Sequence, residues 1–249
     1  MTWIQQTLKY PEECYYNQKL PKKQVYENAE LNTRDKKTFT KNIEEMALTY
    51  YFNTKTLNIP PYTDTTRRYT EIAIFEIQLR ETTKLNRIAD IILRFIPYPT
   101  LIIFEINEYI QLYASHIREH KSDTNKITLD EENGMIHTDW IKVLEPDTIT
   151  NKLIQDLQLE NLNNMNFYEF YKDIYNAILT YNGSRIKGQK TTLKPEQIKK
   201  ILDKKRQREY QISIYKGQID EETNFNEQVK INMKIKEIEK DLKKDLKKL

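Results

Sequence analysis

The sequence predicts an α+β fold: a mixed β-sheet with a βαβ crossover, flanked by helices and followed by a coiled-coil-like helical arm at the C-terminus. Three observations carry this. A short phrase occurs twice, Ile74-Phe75-Glu76-Ile77 and Ile103-Phe104-Glu105-Ile106, each closing a run of β-branched and aromatic residues that reads as buried strand. Between the two runs, Leu85, Ile88, Ala89, Ile92, Leu93 and Ile96 recur at helical spacing. Strand, helix, strand implies a right-handed crossover and two parallel strands. From Ile198 onward the apolar residues thin to a narrow seam among charges, as in a helix that needs a companion.

Taken in order, Trp3 to Tyr16 reads as a loosely ordered start, and Pro21 makes Lys19 to Lys23 a turn or extended segment. Thr33 or Asp35 caps a predicted helix from about Lys36 to Tyr51, with Phe39, Ile43, Met46, Ala47 and Tyr50 on one face. A loop follows through Pro60-Pro61 to Thr70. After the crossover, Asn107-Glu108 reads as a hairpin turn and Tyr109 to Ile117 as an alternating antiparallel strand. Asn125 to Leu129 and Met135 to Val143 add strands or an edge, around an exposed turn at Asp130 to Gly134, with Trp140 as a core anchor. Thr148 to Leu157 and Asn166 to Thr180 are helices, the second stopped by Tyr181-Asn182-Gly183-Ser184. A basic linker runs to Thr192, and Pro195 opens the next helix. The domains expected are a sheet domain over 1–145, a helical segment with linker over 146–192, and an arm over 193–249.

Composition narrows the function classes. A net charge of +3 is a weak lean toward nucleic acid, and only 4 glycines leave little for phosphate-cradling loops. One cysteine, Cys14, excludes an internal disulfide and a cysteine metal cluster. With no basic leader at the N-terminus and no run of about 18 apolar residues, a cytoplasmic location without membrane contact is expected.

Glu76 and Glu105 are the candidate catalytic pair, with Gln78. Each acid continues an apolar strand face near the strand's C-terminal end, where open α/β sheets place ligands. There a carboxylate must find a partner, a metal or water. Side by side, the two acids would raise one another's pKa or hold a divalent cation; alternatively each marks a strand end and pairs with a basic or tyrosine side chain. Acids close together, open to solvent and beside a basic wall would favour metal chemistry; acids tied to arginine would remove it. A nuclease of the Asp-(Asp/Glu)-x-Lys type is weighed on Glu76-Ile77-Gln78, with Asp64 or Glu71 upstream. Two features argue against it: Gln78 stands for the lysine, and the helix predicted before the crossover replaces the strand meander that such nucleases place there. His116-Ile117-Arg118-Glu119-His120 matches H-x-x-E-H, but on an extended chain residues four apart lie roughly 13 Å from each other, too far to share a zinc.

Nucleic-acid candidates are Arg185, Lys187 and Lys190 in the basic linker, then Lys199, Lys200, Lys204, Lys205 and Arg206. A further cluster runs through Lys240, Lys243, Lys244, Lys247 and Lys248. Interspersed acids make a solvated helix face the plainer reading of both helical clusters. The seam Ile231, Ile235, Ile238 and Leu242, with Asp245 interrupting it, is the candidate partner surface; the plainer reading is a helical hairpin folded on itself.

Leu20-Pro21-Lys22, Ile72 to Leu79, Ile96 to Glu105, and Phe225 to Asn232 followed by a charged helix together resemble a prokaryotic family, the domain of unknown function numbered 4391. That family tends to lie beside helicase and DNA-methyltransferase genes in defence or restriction-like loci. The resemblance implies an accessory role in anti-phage defence and no established chemistry. On it, the expected function is a non-catalytic subunit docking onto a helicase or methyltransferase of the same operon, with DNA or RNA contact and no cofactor. The alternatives are a divergent nuclease using Mg or Mn at Glu76 and Glu105, and a homodimeric scaffold.

Overall fold

The apolar runs flanking residues 85–96 form the predicted crossover. In the computed structural model, which describes residues 2–249 except 30, 121, 122 and 131, and not the side chains of 28, 120 and 123–126, two compact units divide within one long helix, at residues 178 and 179.

The first unit begins with a short helix α1 (Trp3–Thr7), then β1 (Tyr15–Lys19), α2 (Lys22–Asn28), α3 (Thr33–Asn42), β2 (Ile43–Asn53) and α4 (Thr54–Leu57). A small hairpin, β3 (Tyr62–Thr63) and β4 (Arg68–Tyr69), leads into β5 (Glu71–Leu79), α5 (Leu85–Phe95), β6 (Thr100–Ile106) and β7 (Tyr109–Ala114). Next come a second hairpin, β8 (Ile117–His120) and β9 (Asp123–Leu129), the short strands β10 (Ile136–His137) and β11 (Ile141–Lys142), α6 (Thr148–Asp156) and α7 (Phe167–Lys187). One mixed sheet runs β1-β2-β5-β6-β7-β10, with β11 also on β7. Among the described strands only β5 and β6 pair in parallel, as a crossover through α5 requires; the other pairs are antiparallel.

Burial fixes the two faces. Ile88, Ala89, Ile92 and Leu93 of α5 are buried, as the helical spacing of that segment predicts. Phe170 of α7 meets Phe52 of β2 edge to face at 5.6 Å, and Tyr171 of α7 donates to the Thr100 carbonyl at 2.7 Å.

The predicted helix over Lys36 to Tyr51 is corrected. Helix α3 stops at Asn42, capped at its start by Asn32, whose side chain accepts from the Asp35 N–H at 2.8 Å. The remainder is β2. Its pairing with β5 shifts register between Ile43 and Glu45 and again between Leu48 and Tyr50. Each bulge inserts a residue into the period-two alternation, so Ile43, Met46, Ala47 and Tyr50 acquire helix-like spacing while lying in a strand. The start of the chain is ordered rather than loose: α1 and β1 occupy it, and Ile4 is fully buried. Trp140 is half-buried and not a core anchor, and Asp130, expected in an exposed turn, is buried; Glu131 of that turn lies outside the described residues.

The second unit, residues 179–249, holds the end of α7, then α8 (Pro195–Glu221) and α9 (Phe225–Leu246). The expected stop at Gly183 is corrected: α7 runs through it to Lys187. A Cβ at Gly183 would lie 2.9 Å from Ile198 Cγ2, so glycine serves close packing of α7 on α8 rather than termination. Arg185 and Lys187 therefore belong to the last turn of a helix, and of the predicted basic linker only Lys190 lies beyond it. Helices α8 and α9 form the hairpin of the plainer reading. Arg208 and Asp245 pair across it at 2.5 Å, and Lys234 lies over the Tyr215 ring at 5.7 Å. Among the described residues no helix is long and apolar enough to cross a membrane.

Candidate functional site

Strand register places Glu76 and Glu105 together. In β5, Glu76 and Gln78 share a face with Ile72 and Ile74; in β6, Glu105 shares one with Leu101 and Ile103. Gln78 stands opposite Glu105 in the parallel pair, and β2 sets Ala47 opposite Glu76 and Glu45 opposite Gln78. Lys19 of β1 stands opposite Ala47. The C-terminal ends of β5 and β6 thus share one polar row with the start of β2.

That row lines a cavity of about 310 Å³, bounded by Glu76, Gln78 and Glu105, by Glu44, Glu45, Ala47 and Thr49 of β2, by Asn17, and by Thr2 before α1. Glu76 is only 7% exposed, and neither of its carboxylate oxygens has a hydrogen-bond partner of good geometry among the described residues. Glu105 Oε1 and Thr2 Oγ1 are buried and equally unsatisfied.

Burial is the main reason both acids resist ionisation. Glu105 is pushed up to about 7 by burial first and by the neighbouring Glu76 carboxylate second, against a small opposing pull from the Trp3 N–H. Glu76 is raised by burial, offset in part by Thr49, Thr2 and the Ile4 N–H, which lie near enough to favour its charge without making well-formed bonds. The same charge helps burial push the Tyr50 phenol up to about 12. Two carboxyl groups that cannot both ionise freely, in residues that line one cavity, can share a proton or bind a cation.

Among the described residues no arginine holds either acid. The basic wall that metal chemistry would favour is absent from the cavity lining; the nearby Lys19 is engaged with Glu45 at 2.7 Å. Among the described residues no group of three or more His, Cys, Asp or Glu side chains is placed to hold a metal. A cation here would take at most two protein carboxylates, which is the usual provision for Mg²⁺, the rest coming from water and substrate phosphate.

The acids sought upstream lie elsewhere. Asp64 sits in the β3–β4 turn, where its side chain accepts from the Thr66 and Arg67 N–H groups, and Glu71 begins β5 at the strand end remote from Glu76. The strand preceding β5 supplies Glu44 and Glu45 instead, which the helical reading of β2 concealed. The topological objection to a nuclease also falls: β1, β2 and β5 form an antiparallel meander ahead of the crossover helix α5.

His116 is no metal ligand of an H-x-x-E-H pair. It is 4% exposed, with Nδ1 2.8 Å from the Tyr69 hydroxyl, and burial pushes it down to about 4; the His120 side chain lies outside the described residues. The seam proposed for a partner faces inward: Ile235 is buried, while Ile231, Ile238 and Leu242 are half-buried in the helical hairpin. Asp245, which interrupts the seam, is tied to Arg208 and Lys248. Of the basic candidates, Lys199 and Lys205 pair with Asp203 and Glu209 one turn on, and Arg185 stacks on Tyr181 at 4.9 Å. Lys187, Lys190, Lys200, Lys204 and Arg206 are exposed.

No curated protein and no solved structure matches this chain. The sequence profile of one family, described as Domain of unknown function (DUF4391), matches residues 8–242. With its crossover strands, acid pair and most of its helical hairpin inside that span, the chain belongs to the DUF4391 family.

Proposed function

We propose that the chain is a divergent metal-dependent nuclease, cytoplasmic in location, whose Glu76 and Glu105 hold one Mg²⁺ or Mn²⁺ at the C-terminal ends of β5 and β6. The observation that carries this is the Glu76 carboxylate, buried on a sheet face without a well-formed hydrogen bond among the described residues, in a residue that lines the same cavity as Glu105. An unpaired buried carboxylate costs stability, and a cation removes that cost. The strand meander before the crossover supports the same reading. A bound divalent ion would polarise a phosphoryl oxygen and activate water. Gln78, facing Glu105 across the row, would orient the phosphate or the water where nucleases of this type use lysine.

The test is Mn²⁺ binding at pH 8, followed by electron paramagnetic resonance, with cleavage of single- and double-stranded DNA and RNA in Mg²⁺ or Mn²⁺. One bound ion is expected, and binding and cleavage should both vanish in Glu76→Gln and in Glu105→Gln. Unchanged Mn²⁺ binding in both variants, or none in the parent protein, would overturn the reading.

A second reading keeps the chain as an accessory subunit of a defence system, docking onto a helicase or methyltransferase. The inward-facing seam no longer motivates it. Phe225, Val229 and Met233 do: four apart on α9, they are 74%, 41% and 67% exposed. Co-purification with the products of neighbouring genes, lost in a Phe225→Ser, Met233→Ser variant, is its expected mark.

A further inference from the structure

Charge is divided unevenly along the chain. Residues 179–249 carry nineteen Lys or Arg against eleven Asp or Glu, a net of +8, so of the chain's +3 the first unit holds −5. A modest total hides one strongly basic unit and one acidic unit.

Within the basic unit the positive charge is ordered. Lys236, Lys240, Lys243, Lys244 and Lys247 are all exposed, and among the described residues none of them forms an ion pair. At 100° per residue they fill an arc roughly 100° wide. Glu239 lies outside one edge of the arc, and Glu237 and Asp241 outside the other. The apolar residues of the same stretch, Ile235, Ile238, Leu242 and Leu246, turn away from this arc and are buried or half-buried. The stripe is about 17 Å long at 1.5 Å per residue, a length of duplex that carries on the order of ten phosphate charges.

We infer that this lysine stripe on α9 is a track for a nucleic-acid phosphate backbone. It is single-signed and continuous, and no apolar side chain is interleaved along it. Exposed Phe225, Val229 and Met233 continue the same arc toward the start of α9, where an anionic membrane surface would take them up; between Lys236 and Lys247, where the charge lies, the arc has none, and the vesicle arm of the test separates the two. Backbone charge alone is read, so duplex DNA and duplex RNA share the chemistry. The inference does not depend on the acid pair, because it needs no metal.

The experiment uses the full chain in EDTA, with fluorescence anisotropy of a labelled 20-base-pair DNA or RNA duplex at several salt concentrations. Five phosphate contacts give a slope of log affinity against log salt of about −4.5 on DNA. Lys240→Gln, Lys243→Gln, Lys247→Gln together should cut the slope by about 2.7 and weaken binding at least tenfold, with circular dichroism checking the helices. If the triple variant misfolds, each single variant should lower the slope by about 0.9. Lys199→Gln, Lys205→Gln on α8, two lysines already paired with Asp203 and Glu209, serves as control and should leave the slope nearly unchanged. Mn²⁺ binding and cleavage by the acid-pair variants report on the nuclease reading, and duplex binding by the lysine variants in EDTA reports on this one, so the failure of either is distinguishable. Loss of slope in the control alone, no slope change in the stripe variants, or binding to phosphatidylserine vesicles but to neither duplex would each overturn it.

Discussion

Glu105 shows how a single side chain reports on its surroundings. Its carboxyl ionises only near pH 7 in the folded chain but near 4.3 in the unfolded one. Below both values the group is protonated in either state and costs nothing. As pH rises through that window the unfolded chain releases the proton first, so the fold binds more protons and loses stability. Stability should therefore fall between about pH 4.5 and 7, by on the order of 1–3 kcal/mol after allowance for partial solvent screening. Glu105→Gln should flatten that part of a melting-temperature profile and be the more stable form at pH 8. If instead the acids serve as structural caps for the Trp3 and Ile4 N–H groups, the same substitution should destabilise at pH 8. Because a cation requires the ionised pair, Mn²⁺ affinity should drop roughly tenfold per unit below pH 7, readable by titration across pH 5.5 to 8.5.

At the scale of elements, β2 and α7 carry the lesson. In β2 two bulges break the alternation that would have marked a strand, and the resulting spacing imitates an amphipathic helix. A helical reading of β2 hides the meander and the acids Glu44 and Glu45, whereas Glu76, Gln78 and Glu105 are legible from period two alone. In α7, Gly183 reads as a stop because glycine weakens helices; its use is the close approach of Ile198 at 2.9 Å from the place a Cβ would occupy. Gly183→Ala should thus destabilise by about 1–3 kcal/mol through overpacking, despite alanine's better helix propensity. A thermal melt checks the sign: a variant more stable than the parent would show that α7 and α8 are not in close contact there.

For the whole molecule, both tryptophans, Trp3 and Trp140, belong to the first unit. Fluorescence follows the sheet, while helical circular dichroism also follows α8 and α9. The hairpin of α8 and α9 buries little: on α9 itself Ile235 is the one buried apolar side chain. Segments with so few buried contacts open first. Denaturation by urea should show helical signal lost at lower concentration than tryptophan signal changes. Coincident curves would mean that the two units unfold as one.

What the sequence determined by itself was local: the apolar runs of β5 and β6, the stripe of α5, the start of α8 at Pro195, and the acids that close two strands. Each follows from a repeat spanning a few residues, which side-chain chemistry imposes without help from distant parts of the chain. Tertiary structure alone decided that β1 and β2 complete a meander, that Thr2 and α1 close over the acid pair, and that the α9 seam faces α8 while its lysines face out. Those outcomes depend on which surfaces lose water to one another, and a linear pattern records a side chain's polarity but not the neighbour that covers it.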